Sequence, residues 1–339
     1  MKLPQTSVSE TKYGRISTSS FRAPRWAQNP HLQTIFPKYA MRTPNVDFKN
    51  VRIDTPDKDF LDLAVCSPQA MKQPKAVVAL FHGLEGSKKS HYIQHLAYRL
   101  QQNGIVSVLM HFRGCSGEIN RQARAYHSGE TSDAKHFFLW IKKTYPQVPM
   151  FAVGFSLGGN MLLKLLGEQQ DDTIKAAVSI SAPIDLAASS QAINHGFARH
   201  YQAHLLSSMR QNLINKMKVI DMRPNVQLSP ADVAKLNSFR LFDEYVTSVL
   251  HGFKNADDYY EKCSAMQYIQ HIKTPTLIMH SLDDPFMDSR VVPLPCALSD
   301  YTAYELSSHG GHVGFMSGSM LSPNLYLPER ILNFIQEHL

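Results

Sequence analysis

The feature that most constrains this chain is the stretch Val153-Gly154-Phe155-Ser156-Leu157-Gly158-Gly159-Asn160. It reads as a strand that turns sharply into a helix with a serine at the apex. Such a turn crowds the backbone on both sides, so the positions two before and two after the serine must be small. Gly154 and Gly158 fill them. The flanks agree: 149–155 is a short apolar run suited to a buried parallel strand, and 160–166 is apolar nearly all round, as a buried helix is. The five-residue pattern alone is common by chance, so its weight comes from this context and from the residues downstream of it.

Around this turn, strands alternate with helices. Apolar runs predict strands over 75–81, 105–111, 150–155, 174–181, 276–280 and 301–306. Helical patterns cover 90–102, with Ser90 as N-cap, then 133–143, 157–170 and 330–338. That alternation implies an α/β fold with a mostly parallel central sheet covered by helices on both faces. Residues 46–67 alternate around a polar turn at 55–59 and predict an antiparallel hairpin. Residues 183–273 break the rhythm between two sheet strands; they are helical in character and are read as a cap over the carboxyl ends of the strands. The core is then 46–182 with 274–339, and 1–45 is an N-terminal arm. Residues 1–20 are rich in Ser and Thr and are expected to be loosely held. Prolines bracket 24–37, which predicts an irregular arm pinned by Trp26, Leu32, Ile35 and Phe36.

A serine hydroxyl becomes nucleophilic only with a base in reach and a third group that orients the base. After Ser156 the chain supplies Leu282-Asp283-Asp284-Pro285-Phe286, then Ser308-His309-Gly310-Gly311-His312-Val313-Gly314, each just past a predicted strand. The order serine, acid, histidine differs from the chymotrypsin-like and subtilisin-like orders and is the one found with G-x-S-x-G elbows. Spacing from the strand favours Asp284 over Asp283 as the acid. Glycines on both sides favour His312 over His309 as the base, leaving His309 as a supporting or solvent residue. An oxyanion hole needs two backbone N–H groups. Leu157 opens the elbow helix, and Leu84 follows the His82-Gly83 pair after the first parallel strand. His82 is read as shaping that loop.

Other patterns carry less. Position 88 is Lys, so the loop after Gly83 fails the phosphate-loop spacing. His91 and His95 stand one helical turn apart, but Tyr92 occupies the place where a zinc protease has Glu; no metal site is expected. His200 and His204 repeat the spacing and suit a solvated helix face. The cap residues Arg199, Arg210, Lys216, Lys218 and Arg223 are also read as a solvated face. Net charge is +7 with an isoelectric point near 9.1, yet the basic residues are scattered, so no nucleic-acid partner is expected. Cys66, Cys115, Cys263 and Cys296 are far apart, which suits a reducing, cytoplasmic setting rather than a disulfide framework. No apolar run approaches the length of a membrane span, and the N-terminus has no signal-like apolar region.

Seven stretches resemble the YheT-type branch of the α/β-hydrolases, which also includes the mammalian ABHD lipid hydrolases. They are Asn29 to Thr34, His82 to Gly86, His111 to Gly117, Tyr126 to Thr131, Gly154 to Asn160, Asp283 to Phe286 and Gly310 to Phe315. The resemblance implies an α/β-hydrolase fold, carboxylic ester hydrolysis without a cofactor, and Ser156, Asp284 and His312 as nucleophile, acid and base. The mammalian relatives carry a membrane-spanning N-terminus that this sequence lacks, so their membrane lipid substrates are not carried over. The expected substrate is a small-molecule ester. An acyltransferase or thioesterase would use the same residues, and a binding protein on the same fold is the alternative of a different class. Oligomeric state is not legible.

Overall fold

The computed structural model describes residues 11–68, 73–168 and 173–339. In chain order the elements are β1 (Arg15–Thr18), α1 (Pro30–Tyr39), β2 (Lys49–Asp54), β3 (Phe60–Cys66), β4 (Ala76–Phe81), α2 (His91–Gln102), β5 (Ile105–Met110), α3 (Ser132–Thr144), β6 (Met150–Phe155), α4 (Leu157–Glu168) and β7 (Ile174–Ile180). A helical segment comes next: α5 (Leu186–Ala192), α6 (Ala198–Met217), α7 (Pro230–Lys235), α8 (Phe239–Phe242), a π-turn (Asp243–Thr247), α9 (Ser248–His251) and α10 (Ala256–Cys263). The chain then returns to β8 (Thr276–Ser281), β9 (Thr302–Ser307), the hairpin β10 (Met316–Ser319) and β11 (Ser322–Leu325), and α11 (Tyr326–Gln336).

The sheet runs β1-β9-β8-β7-β6-β4-β5-β3-β2. The β2–β3 and β3–β5 pairs are antiparallel and every other pair is parallel. Strands β4, β5, β6 and β8 are buried at every residue, as strands covered on both faces must be. Alternate β4 side chains divide between two cores: Val77, Ala79 and Phe81 pack with Phe137 of α3 and Leu162 of α4, while Val78 and Leu80 pack with Leu96 of α2 and Ile331 of α11. The helical segment has a smaller core of its own around Leu206, Leu213, Val226 and Phe242.

Two expectations are corrected. Residues 15–18 are not a loose tail; they form β1, an edge strand parallel to β9. Residues 1–10 of the expected tail lie outside the described residues. The stretch 30–39 is not irregular but helical. Asn29 caps α1 by accepting from the amides of His31 and Leu32, and Pro30 sits at the first turn, where its missing N–H costs nothing. Pro37 falls in the last turn, so the two prolines mark a helix rather than exclude one. The predicted strand over 75–81 and helices over 90–102 and 133–143 match to within a residue. Ser90 makes no capping bond through its side chain; its hydroxyl accepts from the Ser87 amide instead. The last helix starts at Tyr326, four residues before the predicted start.

The loop after β5 is held by a buried charge cluster. The Arg113 guanidinium donates to Asp57 (2.8 Å), Asp59 (2.9 Å) and both oxygens of Asp133 (2.7 Å each). Its side chain is 2% exposed. Burial opposes ionisation of Asp57, but hydrogen bonds from Thr55 and Arg113 outweigh it and bring the carboxyl down to about 2. Asp59 is also held down against burial, by Asn120 and by backbone amides. Removing the arginine strands these carboxylates, so Arg113→Met should cost about 3–5 kcal/mol of unfolding free energy in urea at neutral pH. Carboxyls depressed in the folded state contribute stability that is lost as pH falls from about 4 toward 2. In the variant they protonate sooner, which relieves the stranded charge. The deficit against wild type should therefore shrink with acidification; a constant deficit would contradict the cluster's role.

Candidate active site

Because β4, β6, β8 and β9 run parallel, the loops after them emerge at one edge of the sheet. Phe81 lies beside Gly154, and Ser281 beside Ser307. The loop after β4 therefore meets Ser156, and the loops carrying Asp284 and His312 meet each other.

Ser156 occupies the turn between β6 and α4 with φ of 51°, a left-handed conformation that costs a non-glycine residue energy. Its amide donates to the Ile180 carbonyl at 2.8 Å. A Cβ at Gly154 would overlap the backbone of Gly158 and Gly159, and one at Gly158 would overlap Phe81 and His82, so both positions require glycine. Asn160, wholly buried in α4, donates to the carbonyls of Ser128 (2.9 Å) and Cys263 (2.8 Å) and accepts from the Ala265 amide (2.9 Å). The elbow helix is thereby tied to the loop before α3 and to the segment leading into β8.

The serine hydroxyl lies 3.0 Å from His312 Nε2, and His312 Nδ1 lies 2.8 Å from Asp284 Oδ2. Asp284 is buried, and its Oδ1 accepts from the Phe286 amide at 2.9 Å. The Phe286 ring lies flat on His312, with centroids 4.0 Å apart and planes within 2°. Asp283 points elsewhere: it accepts from the Gly311 amide (3.0 Å) and lies 3.1 Å from His309 Nδ1. Of the two adjacent acids, Asp284 alone reaches His312, while Asp283 and His309 brace the loop beside it.

Leu157 is the first residue of α4, so its amide has no intrahelical acceptor. The Leu84 amide donates to no backbone carbonyl among the described residues. The loop around Leu84 is pinned by tyrosines: Tyr92 OH accepts from the Gly83 amide (3.0 Å), and Tyr126 OH accepts from the Glu85 amide (2.9 Å). Burial depresses His82 to about 3, so it is neutral; its Nδ1 donates to the Gly83 carbonyl and its Nε2 accepts from the Phe112 amide.

The helix α1 clamps the His312 loop. Thr34 Oγ1 accepts from the His312 amide (3.0 Å) while donating to Pro30 (2.7 Å). Gln33 is wholly buried; it accepts from the Met316 amide (2.6 Å) and donates to Ala27 (2.7 Å). Pro37 leaves the Gln33 carbonyl without an intrahelical donor, and Gly314 packs so closely on that carbonyl that a Cβ would overlap it. Sequence reasoning placed Asn29 to Thr34 on the body but missed this contact, and it missed the Phe286 stack. The glycines at 311 and 314 were the available signal.

The hydroxyl of Ser156 opens into a cavity of about 120 Å³. A neighbouring cavity of about 280 Å³ shares Leu84, Tyr126, Met209 and Thr247 with it. Much of the lining beside Ser156 comes from the helical segment between β7 and β8. Elsewhere, His127, Glu130 and His251 place ligand atoms within 4.8 Å of one another. Arg124 and Ser132 already occupy the Glu130 carboxylate, and both imidazoles are pushed down by burial, His127 to about 4 and His251 to about 3. Only the Glu130 carboxylate of the three is shared with an arginine; His251 Nε2 is buried with no hydrogen-bond partner among the described residues. His91 is likewise pushed down by burial, to about 4.

The family profile described as alpha/beta hydrolase fold matches residues 76–319. The chain belongs to the α/β-hydrolase family. Within that family it is 42% identical to YheT of Escherichia coli (strain K12) over 95% of both chains. It is 28% identical to phospholipase ABHD3 of Homo sapiens, over 95% of this chain and 80% of that one. Among solved structures, the esterase Pf2001 of Pyrococcus furiosus superposes with a TM-score of 0.55 at 16% identity, over 95% of this chain and 98% of that one, and shares the fold. Among the described residues of this α/β-hydrolase, no helix is long and apolar enough to cross a membrane.

The clamp on the His312 loop can be tested by stability. Gln33→Leu leaves the Met316 amide and the Ala27 carbonyl buried without their partner, and should lower the unfolding free energy by roughly 1–3 kcal/mol per stranded group. Urea denaturation measures it, and an unchanged midpoint would show that α1 bears no load.

Proposed function

We propose that this α/β-hydrolase is a serine carboxylic ester hydrolase that works through Ser156, His312 and Asp284 and an acyl-enzyme. The observation that carries the reading is the unbroken relay from Asp284 Oδ2 through His312 to Ser156 Oγ, at 2.8 Å and 3.0 Å, at the wall of a cavity. Relatives support the chemistry: ABHD3 is named a phospholipase, and a yeast relative 28% identical over 71% of this chain is named a monoacylglycerol lipase.

In this mechanism Ser156 Oγ attacks the ester carbonyl and His312 Nε2 takes its proton. Asp284, accepting from Nδ1–H, fixes the tautomer and stabilises the imidazolium. The Leu84 and Leu157 amides hold the developing oxyanion, each contributing about 3 kcal/mol of barrier lowering. The alkoxide leaves with the proton from His312. Water, deprotonated by the same nitrogen, then releases the acid and restores Ser156. The flat stack of Phe286 on His312 restricts ring rotation and keeps water off one face. Residues 183–273 act as the cap: Leu186, Ile193, Met209 and Phe239 give the cavity its apolar wall, which suits a short-to-medium acyl or lipid-like ester.

Ser156→Ala should lower kcat for a p-nitrophenyl ester by about 10⁵–10⁶-fold and abolish the mass adduct formed with a fluorophosphonate. Turnover near wild type would remove the assignment. Asp284→Asn should cost about 10⁴-fold through the wrong tautomer, while Asp283→Asn should stay within about tenfold, the scale of one hydrogen bond. Equal losses from the two variants would contradict the assignment of the acid.

A further inference from the structure

The cavity beside Ser156 has a largely apolar wall, and one carboxylate stands in it. Asp243, the first residue of the π-turn, lines it together with Ser190, Thr247 and Tyr260. Single π-turns within helices are frequent at functional sites. One carboxylate oxygen accepts from Thr247 Oγ1 (2.8 Å) and the other from Tyr260 OH (2.8 Å), and Tyr260 OH lies 3.0 Å from Ser190 Oγ. An ionised carboxylate offers about four acceptor positions, so two remain. No lysine or arginine reaches it within ion-pair distance among the described residues; Arg240, one turn earlier, is committed to Asp257. Burial pushes the Asp243 carboxyl up to about 6, in spite of the hydrogen bonds from Thr247 and Tyr260.

A plain alkyl chain filling this cavity would strip water from the free positions of Asp243 and return nothing, a cost that an occupant with a hydrogen-bond donor avoids. Thr247 and Tyr260 already spend their single hydroxyl protons on Asp243, so the group that answers its free positions must itself donate. We propose that Asp243 is a specificity residue that hydrogen-bonds a hydroxyl carried on one arm of the ester, so that the enzyme selects hydroxylated esters over plain alkyl esters. The inference rests on the serine esterase reading above. In chemical terms either arm, acyl or alkyl, can carry the hydroxyl, and the assay separates the two.

The test compares kcat/KM within matched pairs. On the acyl side, p-nitrophenyl hexanoate, octanoate and decanoate are each set against the ω-hydroxy acyl ester of equal length. On the alkyl side, hexyl, octyl and decyl acetates are set against the ω-hydroxyalkyl acetates. Wild type should favour the hydroxylated partner by about tenfold to a hundredfold, the size of a hydrogen bond to a charged group. The preference should peak at one chain length on one arm, because the carboxylate is fixed. Asp243→Asn should reduce that ratio several-fold, whereas Tyr260→Phe, which keeps the carboxylate, should retain it. Ratios near one in every pair, a preference equal at all lengths, or a ratio unchanged in Asp243→Asn would each overturn the proposal. If Asp243→Asn fails to fold, the wild-type length profile decides alone. Turnover without preference removes only this inference. No turnover of any ester, with Ser156 unlabelled by fluorophosphonate, removes the esterase reading and the inference with it.

Discussion

The site depends on a backbone that the local sequence would not choose by itself. Ser156 is held at φ of 51°, and Glu85, Ser181, Val313 and Phe315 share the positive range. A β-branched valine in that range is a true outlier. Apart from Lys58, these are all the described non-glycine residues with positive φ, and all lie in the loops around Ser156 and His312. Strain of this kind persists only where surrounding contacts over-determine it. Those contacts are on hand. Ser156 N–H is tied to Ile180, the Val313 amide donates to Ser181 Oγ (3.1 Å), and the Phe315 amide donates to Gly310. The elbow is thus braced from β7, and the histidine loop is braced from the residue just after β7.

Bracing from the sheet alone leaves the outer side of the histidine loop open, and α1 closes it. The helix grips Gly311, His312, Gly314 and Met316 through backbone groups and through glycines that permit contact. Its His31 ring lies 4.5 Å from Phe197 at the start of α6, and His31 Nδ1 lies 3.1 Å from Tyr201 OH. Tyr201 in turn packs on Phe286, the ring stacked on His312. One aromatic series therefore runs from the imidazole through Phe286 and Tyr201 to α1 and α6. The helical segment and the N-terminal helix bear on the same ring that faces Ser156. Movement of α6 cannot leave the environment of His312 unchanged.

Much of this was legible in the sequence, for reasons specific to the residues. Buried parallel strands are continuous apolar runs, so β4 to β9 stood out. The elbow was legible because a tight turn dictates glycine at fixed offsets. The meeting of the Asp284 and His312 loops was legible because chain order and strand ends restrict which loops can come together. The α1 helix was not, because two prolines read locally as breakers. Pro30 is favourable at the first turn, and the cost of Pro37 is met by a tertiary contact that no local pattern contains. The edge strand β1 was missed for a similar reason: Arg15-Ile16-Ser17-Thr18 has one apolar residue, and its partner β9 lies nearly three hundred positions away. Separation of that size hides pairing from any local reading.

The helical segment is the least legible part, and it supplies much of the lining of the cavity beside Ser156. Of its five basic residues read as a solvated face, Lys216 is buried instead, donating to Asn120 (2.6 Å) beside the Arg113 cluster. Burial lowers it to about 8, partly offset by Asp59. The segment is therefore attached to the core through Lys216 in α6 and through α10, whose Cys263 carbonyl accepts from Asn160. It presents a largely apolar wall to Ser156 through Leu186, Ile193, Met209 and Phe239, interrupted by Ser190, Thr247, Tyr260 and the carboxylate of Asp243. Asp243 lies in the chain between the two attachments. The free positions of the carboxylate are then answered by water or by an occupant of the cavity.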